Sequence, residues 1–96
     1  MSELISINPE NGSLVGTYPE YNSKEIKKII SDVNSSFNYW KELELKERCQ
    51  YFRHLSITLQ SRKDEFARIM ALEMGKPISQ GKAEIDKSAW VCDYYA

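Results

Sequence analysis

Ninety-six residues carry a net charge of -1, with 42% hydrophobic and 28% charged positions, which suits one small folded unit and argues against disorder. The sequence pI of 5.8 provides no basic field for nucleic acid or anionic lipid. The mean hydropathy of -0.54 and the absence of a long apolar run exclude a membrane span, and the acidic start Met1-Ser2-Glu3-Leu4 is not a secretory leader.

Leu4 to Asn8 read as a short strand. Pro9-Glu10-Asn11-Gly12 follows, a turn signal in which asparagine and glycine tolerate positive φ, and Ser13 to Tyr18 read as a second strand. The pair predicts a β-hairpin over about 4–18, which must pack on something to be stable.

Asn22 with Glu25 three residues on has the form of a capping box. Ile26, Ile29, Ile30, Val33, Phe37 and Trp40 then recur as one stripe, predicting a helix over about 23–40 with that stripe in a core. A second helix is expected over about 44–60, burying Leu45, Cys49, Phe52, Leu55 and Leu59. Cys49 lies beside Arg48 and Arg53 but reads as a small hydrophobe, and His54 flanks the stripe with no nucleophile supplied.

The stripe lapses at Ser61-Arg62-Lys63, so a break is expected there. A third helix, about 63–74, carries Phe66, Ile69, Met70 and Met74 inward and turns Glu65, Arg68 and Glu73 to water. Leu72-Glu73-Met74-Gly75-Lys76-Pro77 reads as a helix stop. Gly75 suits the left-handed closing residue, Lys76 places a cation by the last carbonyls, and Pro77 cannot continue the helix. Ser79 is the expected cap of a last helix over about 79–96, with Ile85, Ala89, Cys92 and Tyr95 or Ala96 inward. Gly81 inside it signals either a close backbone approach or a weak first turn. The aromatic end, Trp90 to Ala96, lacks a cap and reads as a cut chain.

Chemistry is sparse in this pattern. Two cysteines within helices and no CxxC point to free thiols in a reducing compartment, hence a cytoplasmic protein, and one histidine makes a zinc site improbable. No glycine-rich phosphate loop follows a strand, and no spacing suggests a Ser-His-Asp or Cys-His set. No catalytic, cofactor-binding or metal residue is assigned.

The order of parts resembles the N-terminal segment of the aldehyde dehydrogenase superfamily. Ile7-Asn8-Pro9-Glu10-Asn11-Gly12 is similar to that family's opening hairpin, with Asn11 where threonine is usual. Phe37 to Trp40 and Arg48 through Leu59 resemble its first helices. Glu73-Met74-Gly75-Lys76-Pro77 is similar to its E-x-G-K-P signature, followed by Glu84-Ile85 and Asp93-Tyr94-Tyr95-Ala96. Met74 and the run Val91 to Tyr95 look most like the bacterial succinate-semialdehyde branch.

The resemblance implies a mostly α fold with a short hairpin and about four helices, a fragment of an α/β enzyme forming a flank of its cofactor domain. It implies a parent enzyme that oxidises aldehydes to carboxylates with NAD or NADP. There a cysteine thiolate attacks the carbonyl, hydride passes to nicotinamide, and a glutamate activates water. Those residues match no position here, so neither Cys49 nor Cys92 is expected to be the nucleophile, and these 96 residues alone are expected to bind no cofactor and to catalyse nothing. A structural cation near Glu84, held by some members, would here have an incomplete ligand set. The expected partners are the remainder of the parent chain and further copies in a homo-oligomer, with neither nucleic acid nor membrane. Trp40, Phe66, Trp90 and Tyr94 are expected on the surface, and the isolated chain is expected to self-associate. The alternative is a small helical interaction module whose match to the signature is chance.

Overall fold

A computed structural model describes residues 2–96. It contains a hairpin of β1 (Glu3–Ile7) and β2 (Leu14–Pro19), then α1 (Ser23–Glu42), α2 (Leu45–Ser61), α3 (Lys63–Met74) and α4 (Ile78–Tyr95). The expected element order holds throughout, with boundaries shifted by one or two residues.

The two strands pair antiparallel, Leu4 opposite Tyr18 and Ile5 opposite Thr17, with a register shift between Ser6 and Ile7. The turn rests on short-range bonds. The Gly12 N–H donates to the Asn8 carbonyl at 2.8 Å, and the Glu10 N–H donates to Asn8 Oδ1 at 2.9 Å. Gly12 takes φ +74° while Asn11 keeps negative φ, so glycine alone supplies the left-handed step.

α1 starts on the capping box its sequence predicts. The Glu25 N–H donates to Asn22 Oδ1 at 2.9 Å, and the Asn22 N–H donates back to Glu25 Oε2 at 3.4 Å. α4 begins differently from expectation. It starts at Ile78 behind Pro77, with no side-chain cap, and Ser79 sits inside the first turn. Pro77 takes the N-cap place with an extended ψ of 138°, which puts Ser79 at the second helical position, too far in to cap the helix.

The core is small and lies where α4 crosses α2 and α3. Among the described residues its buried apolar members are Ala67, Ile85 and Ala89, joined by Gly81. Three links run antiparallel along these helices. Lys63 pairs with Asp86 at 3.1 Å, Ser56 Oγ donates to Asp93 Oδ2 at 2.9 Å, and Arg53 Nη2 donates to the Ala96 carbonyl at 3.2 Å.

Several expected core positions are not buried. α2 turns Ser56 inward, with Cys49 and Leu59 half-buried, while Leu45, Phe52 and Leu55 stay exposed. On α3 the buried residue is Ala67; Ile69 and Met74 face outward. The reason is steric. Small residues let α4 approach on one side of each helix, and nothing in this chain covers the side with the larger residues. On α4 the stripe ends on Ala96, half-buried, with Tyr95 exposed.

α1 buries no residue. The whole molecule is a slab of 48 × 39 × 15 Å with a radius of gyration of 17.4 Å. A compact chain of this length has a radius near 13 Å. One dimension is little more than a helix diameter, so the fold is a single layer where stable domains use two or three.

Candidate functional site

The stretch from Glu73 to Pro77 is where the hairpin meets the helices. Gly75 closes α3 in the left-handed conformation, φ +71° and ψ +16°, and its N–H donates to the Ala71 carbonyl at 3.0 Å. A methyl group added there would meet Pro9 Cγ at 3.3 Å, so the hairpin turn rests against the helix end. Pro9, Glu10, Met74, Gly75, Lys76 and Ile78 contribute to the walls of an open groove of about 450 Å³ at this junction.

Both charged side chains of the stretch are committed to structural contacts. Glu73, expected in water, is half-buried, and its Oε1 accepts from Ser6 Oγ of β1 at 3.0 Å. Lys76, expected beside the last carbonyls of α3, instead pairs with Glu84 on α4. The stretch therefore fastens three elements together: Glu73 to the hairpin, Lys76 to α4, and Gly75 allowing the close packing between them.

The thiols are placed apart. Cys49 and Cys92 are free and half-buried on α2 and α4. The Ser56–Asp93 and Arg53–Ala96 links set Cys92 level with Ile57, eight residues from Cys49, or about 12 Å along a helix axis. That separation is too great for a disulfide. His54 lines an open cleft of about 330 Å³ with Tyr39, Leu43, Glu47, Gln50 and Tyr51, and neither a thiol nor a serine hydroxyl lines it. Among the described residues no three His, Cys, Asp or Glu side chains converge as a metal would require, and Glu84 is engaged by Lys76.

One ion pair perturbs its members. Arg62, at the break between α2 and α3, donates to Glu65 through Nε at 2.9 Å and Nη2 at 2.8 Å. Those hydrogen bonds, then the charge attraction, raise the guanidinium above its ordinary value; the same bonds hold the Glu65 carboxyl below the usual carboxylate range. Arg62 also lies 4.7 Å over the Phe66 ring. This bidentate, stacked arrangement secures a helix junction in solvent.

The exposed aromatic prediction divides. Trp90 and Tyr94 are exposed. Trp40 and Phe66 are half-buried, Trp40 against Tyr51 with centroids 5.3 Å apart and Phe66 under Arg62. Pattern alone does not register the Trp40–Tyr51 pairing, because it spans the junction between α1 and α2.

The stretch from Glu73 to Pro77 thus joins the hairpin, α3 and α4 through its own side chains. Comparison with known proteins places the chain. The model of the aldehyde dehydrogenase family matches residues 2–96. A succinate semialdehyde dehydrogenase of Escherichia coli K12, named for NAD(P)+, is 36% identical over 95 residues, covering 99% of this chain and 21% of its own. A probable succinate-semialdehyde dehydrogenase of Synechocystis, named for NADP+, is 36% identical, covering 97% of this chain and 20% of its own. Among solved structures, an NADP dependent enzyme of E. coli superposes with a TM-score of 0.90 at 30% identity, over 97% of this chain and 19% of that one. A NAD-dependent aldehyde dehydrogenase from Sinorhizobium meliloti gives 0.90 at 29% identity, with the same coverage.

The chain belongs to the aldehyde dehydrogenase family. It spans about a fifth of the length of the relatives it matches. A chance match of one pentapeptide does not produce similarity over residues 2–96. No helix among the described residues is long and apolar enough to cross a membrane.

Proposed function

We propose that these 96 residues serve as the N-terminal layer of an NAD(P)-dependent enzyme that oxidises an aldehyde of the succinate semialdehyde type to its carboxylate. The layer flanks the cofactor domain and supplies no catalytic group itself. The observation that carries this reading is the single-layer slab with an unburied α1, in a chain matching a fifth of its relatives' length. A helix with apolar residues on one face is stable when that face is covered. The substrate class rests on the names of the most similar relatives.

The nucleophile, the water-activating carboxylate and the nicotinamide site belong, on this reading, to other parts of the enzyme. The Glu73–Ser6 and Lys76–Glu84 contacts hold the hairpin and α4 in the geometry that the rest of the enzyme packs against. Purified chain mixed with succinate semialdehyde and NAD+ or NADP+ should produce no reduced nicotinamide. Sustained turnover proportional to chain concentration would refute the assignment.

A further inference from the structure

The turn of the hairpin carries chemistry that has no part in the proposed function. Asn11 is followed by Gly12, and both are exposed. An asparagine side chain can close a five-membered ring onto the backbone nitrogen of the next residue. Glycine brings no Cβ to hinder that closure. Nothing lies within 4 Å of the position a Gly12 Cβ would take, so the approach is open.

The hydrogen bonds of the turn both assist this closure and hold it back. The Ser13 N–H donates to Asn11 Oδ1 at 2.9 Å. That donor stabilises the charge that grows on Oδ1 when a nucleophile adds to Cγ. The Gly12 N–H, whose nitrogen is the nucleophile, donates to the Asn8 carbonyl at 2.8 Å, and the Asn8 N–H donates to the Ser13 carbonyl at 2.9 Å. The Gly12 nitrogen is free to lose its proton and attack once these bonds open.

The remaining asparagines are less well placed. Asn8 precedes Pro9, whose nitrogen carries no proton to lose. Asn22 is held at both ends of its amide by Glu25, Oδ1 accepting from the Glu25 N–H at 2.9 Å and Nδ2 donating to Oε1 at 3.2 Å. Asn34 and Asn38 lie inside α1, where each following N–H is committed to a carbonyl one turn back.

We propose that Asn11 is a site of spontaneous deamidation, gated by the Asn8–Gly12 turn bond. The Gly12 nitrogen bonds to Asn11 Cγ, the Cγ–Nδ2 bond breaks, and the proton from the Gly12 nitrogen leaves with Nδ2 as ammonia. Water then opens the cyclic imide. Cleavage of the bond between the Gly12 nitrogen and Cγ gives aspartate; cleavage of its bond to the main-chain carbonyl gives isoaspartate. Either product adds a negative charge to a chain of net charge -1. Aspartate still accepts from the Ser13 N–H. Isoaspartate puts an extra methylene into the main chain between Asn8 and Gly12. The turn bond is then lost, and the turn shifts where Pro9 meets Gly75 of the α3 end.

The test is incubation of the 96-residue chain at neutral and mildly alkaline pH, in buffer and in unfolding urea, followed by peptide mass mapping that separates aspartyl from isoaspartyl forms. Asn11 should convert ahead of the other asparagines, to both products. The rate should rise with pH, because the attacking nitrogen must shed its proton. It should be at least about fivefold higher in urea, where the turn bonds no longer have to open first. Asn11→Gln keeps an amide but needs a six-membered ring, so it should lose the conversion over the same period with helical circular dichroism unchanged. Asn11 remaining an amide, another asparagine converting before it, or equal rates in buffer and urea overturns the proposal. These readouts do not involve catalysis, which the chain-alone assay reads separately.

Discussion

Gly81 of α4 lies directly on Ala67 of α3: a methyl group built at Gly81 would sit 3.2 Å from both the Cα and the Cβ of Ala67, with Met70 Sδ at 3.4 Å. Of the two meanings its sequence allows, close approach and weak first turn, the structure selects the first. Replacing an interior helical glycine by alanine ordinarily gains about 1 kcal/mol. Here the new methyl presses on backbone and on a side chain with no freedom to move. Gly81→Ala should therefore fail to stabilise, and Gly81→Val should cost about 1–3 kcal/mol by overpacking. Urea unfolding midpoints of the two variants check this.

Gly75 should tolerate side chains poorly for a different reason. Its φ of +71° disfavours any Cβ, and Pro9 occupies the space beside it. Gly75→Ala should cost about 1 kcal/mol or more, and Gly75→Asn less, since asparagine accepts the left-handed region more readily. Amide exchange in β1 should rise in the alanine variant, because the hairpin loses its seat on α3.

Ser56 is the buried polar residue of the α2–α4 contact, and its hydroxyl donates to Asp93 at 2.9 Å. Ser56→Ala should cost about 1 kcal/mol through the lost bond. Ser56→Leu should cost more, because α4 has approached to the distance a serine permits. The comparison of the two unfolding free energies separates hydrogen bonding from packing.

Much of this fold is legible in the chain, and the limits have a physical cause. The capping box at Asn22, the turn at Gly12, the break at Arg62 and the stop at Gly75 are local events, fixed by side chains within a few residues of one another. Burial is not local. The periodicity of α1, α2 and α3 reports which face wants covering, whereas the faces buried within the chain are those that α4 reaches through Ser56, Ala67 and Gly81. The periodicity directs Leu45, Leu55 and Ile30 inward, yet they lie outside because this single layer has nothing opposite them. The roles of Glu73 and Lys76 were hidden for the same reason: Ser6 and Glu84 are distant in sequence or on another helix.

The Arg62–Glu65 pair predicts a pH response with a definite sign. Its hydrogen bonds lower the Glu65 carboxyl in the folded chain. Its stabilising effect is therefore present above the unfolded carboxylate value and is lost as pH falls through the lower folded value. Acidification through that range should loosen the start of α3, and Glu65→Gln should remove the response. Both side chains are about half exposed to solvent, so added salt should also weaken the pair. Amide exchange near Phe66, measured across pH and salt, reads all three effects.

As the proposed structural layer of an enzyme, this chain should support activity when joined to the parts that cover it. The most direct measurement replaces the matched segment of the E. coli succinate semialdehyde dehydrogenase, 36% identical, with residues 2–96 and follows aldehyde-dependent reduction of NAD+ or NADP+. A folded chimera that turns over succinate semialdehyde, beside a 96-residue chain that does not, is the predicted result. A folded chimera without activity, or activity in the isolated chain, would contradict the account.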